Sequence, residues 1–136
     1  MSIEKIDISI LDSLTSLAKR DPRLRQNCDL RNSPEDQSQR MLNAIEPGSE
    51  VPIHRHRASS ETVVCIRGRL LEMFYDEEGR LTHSIELSPL GPVVAYNIPI
   101  GQWHSVRSLE SGTVIMEVKD GSYEPLKPED VKVFDD

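Results

Sequence analysis

From residue 39 onward the chain alternates apolar and polar positions in short runs, and each run is closed by a turn signal. The alternation predicts strands over about 39–45, 51–56, 61–66, 69–75, 80–87, 93–98, 103–109 and 113–119. "RG", "DEEG", "PLGP" and "ESG" supply the turns. From Gly68 the glycines recur at intervals of 11, 12, 10, 11 and 9 residues, the spacing of short strands joined tightly. Eight such strands predict a mainly β fold, a small antiparallel barrel or jelly roll. Ahead of them the period changes. Ile10, Leu11, Leu14, Leu17 and Ala18 share one face of a helix over 8–18, with Ser9 and Asp12 as its capping pair and Pro22 beyond its end. Residues 21–38 are polar and predict irregular structure. The expected organisation is a single domain over 1–136. In it, 1–38 form a helix and arm, 39–120 the barrel, and 121–136 a proline-broken tail on the surface or in a dimer contact.

Composition narrows the function. The 136 residues carry a net charge of −7, which disfavours nucleic acid and anionic membrane as partners. No secretory leader and no stretch of about 20 apolar residues is visible, so a cytoplasmic protein is expected. Cys28 and Cys65 form no disulfide framework, and Cys65 reads as a reduced core residue.

The chemistry concentrates in "HRHRASSETVVCIRG", residues 54–68. His54 and His56 are two apart and share one face of a strand, and Glu61 opens the next strand. His104, in "PIGQWHS", is the third candidate imidazole, whereas His83 reads as a surface strand histidine. Three imidazoles and a carboxylate suit one divalent transition ion, Fe, Mn, Ni, Co or Zn, rather than calcium or magnesium. An octahedral ion would keep two positions open for a substrate, while tetrahedral zinc would be closed and structural. Glu61 has an alternative reading as a base that swings off the metal. Arg23, Arg25, Asn27, Arg40 and Tyr96 are candidates to line a ligand pocket, the arginines as forks for carboxylate or phosphate. No catalytic residue can be assigned.

Gly48, His54, His56, Glu61 and Gly68 match the spacing of the first cupin motif, and Pro99, Gly101 and His104 match the core of the second. Gly91 lies two residues farther from Pro99 than that motif has it, and Ser108 stands where asparagine is frequent. The order "DPRLRQN", "QRMLNAIEPGSEVPIHRH", "RGRL", "IPIGQWHSV", "GTVIMEVKDGSYEP" resembles the cupin-fold metalloproteins of the WbuC family over nearly the whole chain. That resemblance implies a metal-binding barrel whose relatives occur in surface-polysaccharide gene clusters, and it brings no established reaction. Three functions stay open. One is a metal-dependent isomerase, epimerase, lyase or dioxygenase acting on a sugar or hydroxy acid. The others are a non-catalytic sugar- or carboxylate-binding metalloprotein and a structural metal in an oligomeric scaffold. A small-molecule ligand and a homodimer are the expected partners.

Overall fold

The computed structural model describes residues 3–132. One helix, α1 (Ile8–Arg20), precedes ten strands: β1 (Arg25–Asp29), β2 (Ser38–Ile45), β3 (Ile53–His54), β4 (Glu61–Arg67), β5 (Leu70–Tyr75), β6 (Leu81–Leu87), β7 (Ala95–Ile98), β8 (Trp103–Ser108), β9 (Val114–Asp120) and β10 (Val131–Lys132). They form two five-stranded sheets, in the orders β1-β2-β9-β4-β7 and β10-β3-β8-β5-β6. Every recorded strand pair is antiparallel. The expected mainly β class is therefore observed, as two sheets facing each other.

Side-chain alternation builds the interior. Ile45, Val63, Cys65 and Ile115 of the first sheet meet Leu70, Phe74, Leu87 and Val106 of the second. Cys65 is a free thiol 2% exposed, and burial pushes its pKa up to about 11. The opposite face of the first sheet, Leu42, Ala44 and Val114, is covered by Leu11, Leu14 and Ala18 of α1. Arg67 fastens that contact. Its guanidinium donates to the Gly112 carbonyl (2.8 Å), Asp12 (2.7 Å) and the Thr15 hydroxyl (3.0 Å). A helix of 13 residues is marginal alone, so this docked face holds it.

The structure departs from the sequence expectation in four places. The helix starts before Ser9, and Asp7 is the cap, accepting from the Ile10 N–H at 3.1 Å. Leu17 is 44% exposed, and Thr15 takes its place against the sheet. The arm expected to be irregular contains β1, which pairs with β2 through Arg25↔Ile45 to Asp29↔Met41. Finally, the tail adds β10 to the edge of β3 after a single 3₁₀ turn at Pro128–Asp130.

Gly68 turns β4 into β5 with φ +83, a left-handed conformation that side chains resist. A Cβ there would fall on the Thr113 side chain and 2.7 Å from its Cα, so backbone has to move. Gly68→Ala is expected to destabilise the protein by about 3 kcal/mol, a fall of about 10 °C in thermal midpoint read by calorimetry.

Candidate metal centre

Three segments converge inside one end of the barrel. β3 and β8 pair at a single register position, His54 opposite His104, so strand pairing itself brings two imidazoles together. His56 follows two residues after His54, and Glu61 enters from the first sheet at the start of β4. The ring centroids are 4.3 Å apart for His54 and His104, 5.1 Å for His54 and His56, and 5.7 Å for His56 and His104. One nitrogen or oxygen from each of the four residues lies within 4.8 Å of all the others. Donors on opposite sides of one ion span about 4–4.6 Å, so the cluster is near that size.

Hydrogen bonds set two of the rings for this arrangement. His54 Nδ1 lies 2.9 Å from the Pro52 carbonyl, and His104 Nδ1 lies 2.9 Å from the Gln102 carbonyl. A carbonyl only accepts, so both Nδ1 atoms carry the proton and both Nε2 atoms present a lone pair. Burial, reinforced by the neighbouring imidazoles, holds the His54 pKa down to about 4, which keeps it neutral, the form able to ligate. Burial also pushes the Glu61 carboxyl up, but contacts with His104 and His56 outweigh it and hold the group well below the usual range. Glu61 Oε2 lies 3.1 Å from His56 Nε2 and 3.6 Å from His104 Nε2, yet it is buried without an aligned donor. An orphaned carboxylate oxygen among imidazole nitrogens is the setting a cation satisfies, and this donor set fits a borderline divalent ion.

The arginines interleaved with the histidines point the other way, as period two requires. Arg55 donates to Asp130 Oδ1 at 3.0 Å, and Arg57 donates to the same oxygen. Asp130 is 6% exposed, so this pair of cations is spent on anchoring the C-terminal segment beside β3. The basic cluster around the histidines is structural and offers no free anion site among the described residues.

The other candidates separate. Arg25 reaches the cavity beside His54, Glu61 and His104. Its Nη1 donates to the Glu50 carbonyl (2.9 Å) and Ser49 Oγ (3.3 Å). Asn27 is exposed in β1, opposite Asn43 of the cavity wall. Arg23 is exposed and turns to Asp21 at 3.4 Å. Arg40 bonds Asp36 at 3.0 Å and the Leu30 carbonyl, and does not line the cavity. Tyr96 packs its ring 4.8 Å from Phe74 in the core. His83 is exposed and stacks on Phe74 at 4.6 Å.

Two cavity residues were not among the candidates. Glu72 of β5 and Glu117 of β9 line the same space of about 50 Å³. Both stand on the apolar face of their strands, Glu72 between Leu70 and Phe74, and Glu117 after Ile115. A glutamate breaking an apolar alternation is the signal that would have found them. Glu117 is partly exposed as a residue, but burial of its carboxyl and the Glu61 charge push its pKa up to about 8. Burial, with the Glu61 and Glu117 charges, holds Glu72 well above the carboxylate range. A larger concavity of about 350 Å³ lies on the other face of the second sheet, along Met73, Tyr75, Ser105 and Arg107. No described histidine lines it, so the chemistry belongs to the smaller space.

Glu72 has a stability consequence with a definite sign. The folded chain keeps a proton on this carboxyl that the unfolded chain releases above about pH 4.5, so stability falls as pH rises through that window. Glu72→Leu removes both the loss and the unpartnered buried group. Its thermal midpoint should rise by about 5 °C at neutral pH, with a smaller gain near pH 4, measured by calorimetry across pH.

Comparison with known proteins agrees with this architecture. TT1209 from Thermus thermophilus is 20% identical, with a TM-score of 0.62 over 89% of this chain and 98% of that one. CapF from Staphylococcus aureus, a capsular polysaccharide assembling protein, is 21% identical, with a TM-score of 0.64 over 82% of this chain and 32% of that one. Bacillus subtilis oxalate decarboxylase, described with Mn(II) centres, is 21% identical, with a TM-score of 0.56 over 74% of this chain and 26% of that one. This chain thus spans about a third and a quarter of the last two. At such identities the likeness is one of fold, and the fold is that of the cupins. No curated protein matches the sequence. Residues 6–87 match the model of a family described as a domain of unknown function, DUF6016, and with that match over more than half its length the chain belongs to the DUF6016 family.

Proposed function

We propose that this protein is a cupin metalloenzyme that binds one divalent transition ion through His54, His56, Glu61 and His104 and acts on a small oxygen-rich molecule, a sugar or hydroxy acid. The observation that carries the reading is the convergence of those four side chains, two of them with the proton fixed on Nδ1. An ion held there would supply Lewis-acid polarisation of a bound oxygen. The chain's own residues do the rest. His54 and His104 are locked by backbone carbonyls, so their rings need no reorganisation. Buried Val63 and Val106 wall the cavity and keep bulk water out. Arg25 stands at its edge as the one lining cation among the described residues, a point of contact for an anionic or polar end of the ligand.

The fold neighbours support the class. Oxalate decarboxylase is described with Mn(II) centres, and CapF as a capsular polysaccharide assembling protein. The resemblance to the WbuC family points the same way, to surface-polysaccharide metabolism, in a cytoplasmic setting that suits two free cysteines. Among the described residues, no helix is long and apolar enough to cross a membrane. A non-catalytic sugar- or carboxylate-binding role would need the same cluster.

Elemental analysis of protein purified from its own host should give about one transition ion per chain. Glu61→Ala and His104→Ala should each lower occupancy at least tenfold, while Arg25→Ala leaves it unchanged. Metal retained in full by both ligand variants would overturn the assignment. The free edges that end each sheet support a homodimer. Light scattering at micromolar concentration should then give about twice the chain mass of 15.4 kDa.

A further inference from the structure

Glu72 is the feature of the cavity that the four-residue cluster does not account for. It lies in the middle of β5 and is 0% exposed. Its register partners are Val106 on β8 and Ile85 on β6, neither of which can hydrogen-bond through a side chain. Both carboxyl oxygens lack a partner among the described residues. A core position of this kind is normally filled by an aliphatic side chain, and a buried carboxyl weakens the fold unless something outside the protein completes it.

The space beside it limits what that something is. A cavity of about 50 Å³ takes about three water-sized groups. An ion on the histidine cluster would occupy one of them and leave room for the reacting end of a ligand. The polar lining consists of the Glu61, Glu72 and Glu117 carboxyls, the imidazoles of His54 and His104, the Asn43 amide, and one guanidinium whose Nη1 is already bonded to Ser49 and Glu50. Whether Glu72 is protonated or ionised, at least one of its oxygens only accepts, and it needs an O–H or N–H. A ligand consisting of acceptors alone, such as oxalate or sulfate, cannot supply one. A hydroxyl next to a metal-binding oxygen can.

Building on the metal-binding reading above, we propose that Glu72 contacts the ligand directly, accepting a hydrogen bond from a ligand hydroxyl, and that this selects small hydroxylated molecules over acceptor-only anions. Glu72 is then a specificity-determining residue, on the same sheet as His54 and His104 and two positions along β5 from the register partner of His104. Its burial is what gives the contact its discrimination, because an unmet acceptor in a dry cavity is costly.

The test uses the full chain loaded with Mn(II) and two probes of equal charge, glycolate and methoxyacetate, which differ by one O–H donor. Calorimetry gives the ratio of their affinities in the wild type, Glu72→Gln and Glu72→Leu, and metal content is measured alongside. Metal chelation contributes the same bias to all three ratios, so only the change between proteins is read. The wild-type ratio should exceed that of Glu72→Leu by about tenfold or more, with Glu72→Gln intermediate because its amide oxygen still accepts. Metal content should be equal in all three. If Glu72→Leu does not fold, a severalfold drop in Glu72→Gln decides in favour. Equal ratios in metal-loaded wild type and variants overturn this inference and leave the metal reading standing. A wild-type chain that takes up no Mn(II) overturns the metal reading, and this inference falls with it.

Discussion

The interior of this barrel gathers three carboxyls, more than a dry cavity lets ionise together. Glu61, Glu72 and Glu117 face a common space with Arg25 as its only lining cation among the described residues, and that guanidinium is partly committed to Ser49 and Glu50. Carboxylates this close in a low-dielectric setting cannot all ionise, so their protonation is shared. The Glu61 charge helps to hold Glu72 and Glu117 protonated. Everything else about the site follows from where the positive charge is put. A divalent ion on the histidines would satisfy the orphaned Glu61 oxygen and relax that repulsion, and the two remaining carboxyls would be free to meet a ligand.

The surrounding structure serves this arrangement by separating duties between faces. Alternation along residues 54–57 sends the imidazoles inward and the guanidiniums to Asp130, so β3 and the segment just after it both build the cluster and pin the C-terminal segment. Arg67, at the end of β4, docks the helix on the outer face of the sheet whose inner face carries Glu61. Gly68 then permits the tight reversal that lays β5, with Glu72, directly after β4. The site is thus carried by strands rather than mobile loops, which suits residues that must hold fixed geometry.

How much was legible beforehand depended on whether a signal was local. The barrel strands β2 to β9 could be read because apolar alternation and glycine spacing are properties of the chain itself. β1 could not, because Arg25, Gln26, Asn27 and Asp29 show no apolar alternation, and the strand is held by backbone pairing with β2. The helix was legible, but its cap was displaced to Asp7, since Ser9 and Asp12 imitate a capping pair and Arg67 claims Asp12. Arg40 and Arg25 look alike in sequence. Strand parity and neighbours send one to Asp36 and the other to the cavity.

The sequence by itself determined the fold class and the identity of the clustered residues. His54, His56 and Glu61 are near neighbours along the chain, and only His104 had to be brought in from a distance. The tertiary structure decided what stands around them. Glu117 reaches Glu61 through the pairing of β9 with β4, whereas Glu72 comes from the other sheet, and its meeting with both depends on how the sheets face each other. Their chemistry depends on burial and on one another's charge, quantities that exist only once the two sheets have closed.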